Sequence, residues 1–574
     1  MRSLSNLLLT MRVAMSVFRH CFLVRRCSLI LLLAVAGCAP APEVPADIIF
    51  LGGTVWTGVP GSDPAQAVAV KGGFIQAVGT DREVRALRGE GTEVVRLGGR
   101  MVLPGFIDSH THFIDGGFQL SSVDLRDADS PEEFARRIKE FAETLPPGTW
   151  ILGGDWDHER WGGELPSRKW IDEGTPEHPV LVTRLDQHMA LANSLALELA
   201  GVSASTRVPF GGEMVRVPGT NELTGILRNE AMGLVRRVIP EPTEEELDQA
   251  LDAAMEHALA RGVTQTHDMG TWEHLETYRR ARDHGRLQVR VYSVVPIDTW
   301  ERLVGFMEEN GPGDDWHWWG GLKGFVDGSL GSTTAWFYEP YTDSPETSGL
   351  LTTDTASLRR WIAAADEAGL QVIVHAIGDR ANDWILDVYQ ATAERNGPRD
   401  RRFRIEHAQH LTEDALPRFA AQEIMASMQP YHAIDDGRWA ENRIGPERIR
   451  TTFAFRSLLD AGASLAFGSD WTVAPMCVME GIYAAVTRRT LDGENPDGWV
   501  PEERITLEET LKAYTWGSAR AGFMEDKLGR LEPGRYADLV ILSRDLFQMD
   551  PVDIPSVQVE MTMVEGAVVY RNEG

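Results

Sequence analysis

Two histidines, His110 and His112, are the first residues of the chain whose types and spacing could hold a metal ion. They follow the apolar run 102–108, VLPGFID, which favours a β-strand. Side chains two residues apart on a strand point to the same face, so both imidazoles can reach one ion. A His-x-His pair also occurs often by chance, so its meaning depends on where it lies in the fold.

Further residues of this kind stand at the ends of later predicted strands. Lys323 lies in GGLKGFVDGSLGS, His375 in VIVHAIGD, His407 in RIEHAQH and Asp470 in AFGSDW. A lone histidine is more often structural than catalytic. Several strand ends that each carry His or Asp point instead to one shared site. Mixed histidine and carboxylate ligands suit Zn²⁺, and also Fe²⁺ or Mn²⁺, so we expect one or two divalent ions.

Lys323 has two interpretations. In the first, which is the commoner for a strand lysine taken alone, its ammonium group reaches from the strand end to water. In the second, burial makes the amine neutral, the amine takes up CO₂, and the carbamylated lysine becomes a ligand that bridges two metals.

The elements that must position these residues alternate between strand and helix. Strands are predicted at 103–108, 263–268, 287–295, 321–326, 370–375, 403–407, 423–428 and 464–469, with helical stretches such as 245–261, 356–368, 379–396 and 448–461 between them. This alternation is typical of an α/β fold, here a (β/α)8 TIM-like barrel over residues 104–504. The gap after the first strand is too long for a loop. It predicts an insertion at about 148–240, a candidate lid over the active-site face.

The two ends of the chain share a different pattern. Residues 46–103 and 505–574 contain short alternating apolar runs with glycine turns, which are typical of β-hairpins. Each end is too small to bury a sheet alone, so the sequence predicts one small β-sandwich built from both.

The first residues look like an export signal. Residues 1–37 carry five arginines and no acid, and end in an apolar run before Cys38. This predicts a lipoprotein signal peptide, with Cys38 as the lipidated residue and 38–45 as a tether. A plain secretory peptide, an uncut membrane anchor and a twin-arginine signal are the alternatives. The prediction is an exported protein anchored in a bacterial membrane through Cys38, on the periplasmic or cell-surface side.

The overall charge restricts the partners. The chain has 56 Lys and Arg against 85 Asp and Glu, a net charge of −29. This acidity disfavours nucleic acid as a partner and suits an enzyme with a small-molecule substrate. The oligomeric state stays open.

Longer motifs resemble the amidohydrolase superfamily, in particular its YtcJ-like group, amidohydrolase family 3, which includes N-substituted formamide deformylase. The matching segments are VLPGFIDSHTH, WILGGDWDHERW, RLDQHMALANSLAL, LTGILRNEA, KGFVDGSLGS, VIVHAIGDRAND, RIEHAQH, FGSDW and LGRLEPGRYADLVIL. They cover the chain from about residue 46 to its end.

The resemblance implies a role for each matching residue. One metal would be held by His110, His112 and Asp470, and another by His375 and His407, with carbamylated Lys323 between them. It implies hydrolysis of carbon–nitrogen bonds in amides, formamides or cyclic amides, by metal-activated hydroxide with Asp470 as the catalytic proton shuttle.

Other assignments are weaker. His188, Asp327, Ser329 and His267 are candidates for substrate binding. A metal-dependent isomerase, deaminase or esterase on the same scaffold is an alternative, because fold does not fix chemistry. A non-catalytic surface binding lipoprotein is a third possibility, but it would be expected to lack ligands, and all the ligand positions are filled.

Overall fold

The computed structural model describes residues 44–572 of the 574-residue chain. The predicted signal peptide 1–37, Cys38 and the tether as far as residue 43 lie outside the described residues. Among the described helices, none is long and apolar enough to cross a membrane.

Eight parallel strands form the predicted barrel. They are Phe106–Thr111, Val263–Met269, Arg290–Pro296, His317–Phe325, Gln371–Ala376, Arg404–His407, Met425–Met428 and Ser464–Phe467. The barrel closes just beyond the last strand, where the Asp470 amide donates to the His110 carbonyl at 2.8 Å. Each predicted strand overlaps one of these, and the predicted α/β barrel fold is confirmed.

Helices surround this barrel. Their bounds are Phe113–Gln119, Glu244–Leu259, Trp272–Asp283, Trp300–Asn310, Thr355–Glu367, Asp379–Asn396, Leu416–Ala421, Pro430–Asp436, Ala440–Arg448, Phe455–Asp460 and Val478–Thr487. The helix Glu244–Leu259 illustrates their origin. A capping box between Thr243 and Glu246 starts it, and Leu247, Leu251 and Met255 recur at four-residue spacing on its buried face.

Strands from both chain ends form one branched sheet of eight strands. These are Ile48–Val55, Ala65–Lys71, Phe74–Gly79, Glu93–Arg96 and Met101–Pro104, then Leu539–Leu542, Val559–Val564 and Ala567–Arg571. The two ends join where Met101–Pro104 pairs antiparallel with Leu539–Leu542. Phe50 and Val68 from the first end and Met563 from the last share one apolar cluster, so neither end buries its strands without the other.

Residues 505–521, which the sequence analysis placed with this sheet, are helical and pack on the barrel. Helices Leu507–Lys512 and Ser518–Ala521 flank a π-helical turn, and the Ser518 hydroxyl donates to the Phe467 carbonyl at 3.0 Å. Directly after them, Trp318 Nε1 donates to the Gly522 carbonyl at 2.9 Å. Gln371 Nε2 likewise donates to the Ala521 carbonyl at 3.0 Å, so residues 521–522 lie at the N-terminal ends of the fourth and fifth strands, and the predicted ligands lie toward the opposite ends of their strands.

The insertion is larger than predicted and contains a third sheet. Its six strands are Val123–Asp124, Gly153–Trp156, Leu181–Arg184, Met189–Ala192, Gly212–Arg216 and Leu223–Asn229, with helices Pro131–Ala142, Ser194–Leu199 and Gly233–Arg236. Phe134 and Trp156 meet edge to face in its own core, with ring centroids 6.2 Å apart. The antiparallel hairpin of strands Leu181–Arg184 and Met189–Ala192 ends in a turn that reaches the barrel mouth.

Candidate metal centre

The first barrel strand brings His110 and His112 to one carboxylate. Nε2 of each imidazole lies 3.5 Å from Asp470 Oδ1. His110 is buried, whereas the His112 side chain is 26% exposed. Burial and the charge of Lys323 lower the pKa of His110 to about 4. The ring is therefore neutral at pH 7, as a metal ligand must be.

The other nitrogen of His110 is held by Glu406, a residue that the sequence analysis missed. Nδ1 of His110 and Glu406 Oε2 are 2.5 Å apart, and Arg404 Nε donates to the other carboxylate oxygen at 2.8 Å. Burial disfavours the charge of Glu406, but Arg404 and His110 hold its pKa well below the usual range. The carboxylate fixes the proton on Nδ1 and leaves the Nε2 lone pair for a metal. The signal available in the sequence was a charged glutamate inside a strand of the predicted barrel.

His375 and His407 lie beside this pair. Their ring centroids are 4.5 Å apart, and those of His110 and His407 are 4.9 Å apart. Nδ1 of His407 contacts Gln429 Oε1 at 2.9 Å, and Nε2 of His375 contacts the Gly328 carbonyl at 3.0 Å. Both partners are acceptors, so the nitrogen that faces them carries the ring proton. The other nitrogen, Nε2 of His407 and Nδ1 of His375, is left for an ion.

The backbone is left-handed at two of these positions. His407 has φ 73° and Asp470 has φ 58°, values uncommon for residues other than glycine. Each lies where a strand ends, so the turn directs the side chain over the barrel mouth. Such conformations persist where surrounding contacts fix them, and they cluster at functional sites.

Asp470 is the residue that the histidines share. Its Oδ2 lies 3.8 Å from His407 Nδ1 and 3.9 Å from Nε2 of His432. Burial would raise the pKa of Asp470, but His110, His112 and His407 hold it well below the usual range. Asp470 Oδ1 and His432 Nε2 are buried and have no hydrogen-bond partner within residues 44–572.

These atoms fit a divalent metal. The donor atoms of His110, His112 and Asp470 all lie within 4.8 Å of one another, and so do those of His407, His432 and Asp470. Buried donors without partners are costly unless an ion or substrate satisfies them. His432 was not predicted. It follows the seventh barrel strand in MQPYH, where no spacing typical of metal ligands marks it.

Lys323 points into the centre. Its side chain is buried, and Nζ lies 3.2 Å from His110 Nε2, so it does not reach out to water from the strand end. Burial lowers the pKa of the amine to about 8, although Glu406 and Asp470 favour its charged form.

The weaker predictions divide into two groups. His188 lies at the site, with its ring centroid 5.1 Å from that of His375. His267 does not. It is fully buried inside the barrel, and its two ring nitrogens contact Gln265 Nε2 and Arg404 Nη1 at 2.9 Å each. Its predicted contact with substrate is therefore corrected to a structural role, since both polar atoms are used within the protein.

Asp327 and Ser329 organise the loop after the fourth strand. Asp327 accepts the main-chain amides of Trp336, Ile377 and Gly378 at 2.7 to 3.0 Å, and burial raises its pKa to about 7. The Ser329 hydroxyl donates to Asp186 Oδ2. Both side chains therefore position this loop. The predicted substrate contact was through backbone N–H groups, of which that of Ser329 donates to Thr334 Oγ1 at 3.0 Å, and substrate binding by these two residues stays a prediction.

Comparison with known proteins identifies the family. The family model described as "Amidohydrolase family" matches residues 93–570. The chain belongs to this family. It is a metal-dependent amidohydrolase, and the family together with the His and Asp groups supports a divalent metal.

Relatives of this amidohydrolase match over almost their whole length. Protein LONG AFTER FAR-RED 3 from Arabidopsis thaliana is 42% identical, with 92% of this chain and 93% of the relative covered. The putative amidohydrolase YtcJ from Bacillus subtilis is 32% identical, with 91% and 99% covered. N-substituted formamide deformylase from Arthrobacter pascens is 29% identical, with 92% and 99% covered. The YtcJ-like resemblance is therefore confirmed.

A solved structure resembles the same amidohydrolase fold. It is an uncharacterized metal-dependent hydrolase from Pyrococcus horikoshii, 30% identical, with a TM-score of 0.70 and 88% of this chain and 99% of that chain covered.

Proposed function

We propose that this amidohydrolase cleaves the carbon–nitrogen bond of small amides, formamides or cyclic amides, rather than peptide bonds. The observation that carries the proposal is Asp470 Oδ1, a buried carboxylate oxygen without a partner among the described residues, 3.5 Å from Nε2 of both His110 and His112. The relative named N-substituted formamide deformylase supports this substrate class.

The ligand set suits one or two divalent ions, with Zn²⁺ favoured and Fe²⁺ or Mn²⁺ as alternatives. His110, His112 and Asp470 would hold one ion. His375 and His407 would hold a second, with Lys323 between them. When bound, such an ion supplies Lewis acidity, which lowers the pKa of water towards neutrality and polarises a carbonyl group.

The protein's own groups move the proton. Asp470 accepts it at Oδ1 from the attacking water and returns it to the leaving nitrogen, which departs as an amine. The carboxylate is ionised before the reaction because the surrounding imidazoles hold its pKa low. Glu406 keeps His110 in the tautomer with a free Nε2.

We also propose that Lys323 is carbamylated. A buried amine with a pKa of about 8 is partly neutral at physiological pH, and the neutral amine is the form that reacts with CO₂. A high-resolution density map of the metal-loaded enzyme checks this. Unmodified lysine density in that map would exclude the carbamate.

The hydrolase proposal is tested by metal replacement and a substrate screen. Purified enzyme is stripped with a chelator, reloaded with Zn²⁺, Mn²⁺ or Fe²⁺, and assayed on N-formyl amines, N-acyl amines, cyclic amides and esters. We expect cleavage of at least one amide class, lost on chelation and restored by a metal. If no metal binds, or only esters are cleaved, the proposal is wrong.

For location, we propose an exported lipoprotein anchored in the membrane through Cys38. The support is the basic, then apolar, stretch that ends immediately before this cysteine. Expressed from the full gene, wild-type protein should sediment with membranes, and Cys38→Ser should be released. Continued membrane association of Cys38→Ser would contradict lipid anchoring.

A further inference from the structure

The hairpin turn of the insertion, residues 185–188, carries His188 to the metal centre. The turn is fixed by Asp186, whose Oδ2 accepts the hydroxyls of Ser329 at 2.5 Å and Ser332 at 2.8 Å from the loop after the fourth barrel strand. Arg184, almost fully buried, pairs with the same oxygen at 2.8 Å. This fixed turn places the His188 ring 5.1 Å from that of the predicted ligand His375.

The two nitrogens of His188 have different surroundings. Nδ1 lies 2.6 Å from Asn229 Oδ1, and this amide oxygen takes the ring proton. Nε2 has no hydrogen-bond partner among residues 44–572, and His188 is only half-buried. The free Nε2 therefore belongs to an imidazole whose ring centroid lies 5.1 Å from that of His375, beside the metal centre.

Asn229 connects this histidine to the loop after the fourth barrel strand. It is 7% exposed and has φ 46°, a left-handed conformation at the end of strand Leu223–Asn229. Its side chain also packs against the loop after the fourth strand, since a Cβ placed on Gly328 would lie 3.1 Å from Asn229 Oδ1. Gly328 in turn provides the carbonyl that holds His375. One small cluster therefore orients both histidines.

We propose that His188 Nε2 accepts a hydrogen bond from the N–H of the scissile amide, and that Asn229 is the positioning residue that makes this nitrogen an acceptor. The inference rests on the proposed carbon–nitrogen hydrolysis and narrows its substrate class. An amide with an N–H satisfies His188. An amide with two substituents on nitrogen covers this acceptor without giving it a hydrogen bond, which costs binding. The enzyme selects N-monosubstituted over N,N-disubstituted amides.

The test compares an N-alkyl formamide with its N-methylated counterpart, using metal-loaded enzyme. Wild type should show a kcat/KM at least about tenfold higher for the N–H substrate. His188→Phe keeps a ring but removes the acceptor, so the ratio should fall towards one through loss on the N–H substrate alone. Asn229→Gly tolerates the left-handed backbone and should reduce the ratio in the same way.

His178→Phe is the matched control. It replaces a different histidine of the insertion, which is buried and whose Nδ1 contacts the Thr149 carbonyl, and it should keep the wild-type ratio. Dissociation constants of the two amides for metal-free protein, where no turnover occurs, should show the same preference and the same loss in His188→Phe.

The outcomes separate the two proposals. Hydrolysis of both amides with equal kcat/KM, or an unchanged ratio in His188→Phe, would overturn the role of His188 and leave the hydrolase proposal intact. Failure of the metal-loaded enzyme to cleave either amide, or any other carbon–nitrogen substrate in the screen, would overturn the proposed function and this inference with it.

Discussion

Glu406→Gln is the substitution that most directly tests how the metal centre is built. The Glu406 carboxylate is fully buried. It accepts a hydrogen bond from Nδ1 of His110 at 2.5 Å and another from Arg404 Nε at 2.8 Å. An amide of the same shape has one acceptor oxygen. This oxygen can accept from His110 or from Arg404, but not from both. The NH₂ group of the amide then faces the N–H of the residue that is left. The buried guanidinium loses its counter-charge in either case.

Two magnitudes follow. Removing one partner of a buried ion pair destabilises a protein by about 3–5 kcal/mol, because the remaining charge is left uncompensated. Changing the residue that orients a metal-binding histidine lowers metal affinity by about 10- to 100-fold. We expect Glu406→Gln to show both effects. Its metal dissociation constant should rise within that range, and its free energy of unfolding should fall.

Asp538→Asn separates the two effects. Asp538 forms a buried pair with Arg290, at 2.7 and 3.1 Å, between the terminal sheet and the third barrel strand. Its loss should destabilise the fold to a similar extent without changing metal affinity. Urea unfolding gives the stabilities, and competition with a chromophoric chelator gives the metal dissociation constants. A Glu406→Gln protein that binds metal within twofold of wild type would refute the reasoning. Equal losses of affinity in both variants would do the same.

Three further changes test separate parts of the molecule. Asp470→Asn should keep the fold, measured by circular dichroism, and lower kcat by at least about 100-fold, because an amide cannot take up the proton. A rate within tenfold of wild type would show that Asp470 does not transfer the proton. Lys323→Ala should lose metal, measured by elemental analysis, and a short carboxylic acid should restore it if a carbamate is the native ligand; full metal content without the acid would exclude that role. Burial opposes the charge of His274, but Asp115 and Asp268 overcome it and raise its pKa to about 9. Because this lies above the unfolded value of 6.5, the stabilisation is complete below pH 6.5 and is lost as the pH rises through 9. Unfolding free energy should fall by up to about 3 kcal/mol over that interval, and His274→Gln should remove this dependence; an unchanged pH profile in His274→Gln would contradict it.

The barrel was predictable because its signal is local. Each strand is a short apolar run, and the helices between them show their own periodicity, as at Leu247, Leu251 and Met255. The insertion was less predictable. Its strands are short, and one of them, Gly153–Trp156, contains two glycines. The sequence indicated that an insertion existed but not that it contained a sheet.

The predicted ligands were found because each lies near the C-terminal end of a strand or just after it, where the chain itself marks the position. His432 and Glu406 were missed for opposite reasons. His432 lies on the helix Pro430–Asp436, beyond the strand end, and only the closed barrel brings it to Asp470. Glu406 lies inside a strand next to His407, and its partner His110 is 296 residues away in the chain.

The sequence by itself determined the parallel α/β barrel and which residues stand at its strand ends, because strand periodicity and side-chain type are properties of short segments. Only the tertiary structure decided which nitrogen of each histidine is free. That choice depends on partners from other strands, namely Glu406 for His110, Gln429 for His407 and the Gly328 carbonyl for His375. The same holds for His267. The sequence placed it at a strand end like the others, but inside the barrel its two ring nitrogens contact Arg404 and Gln265. Hydrogen-bond partners distant in the chain set the tautomer and the accessibility of each imidazole, and no local pattern encodes them.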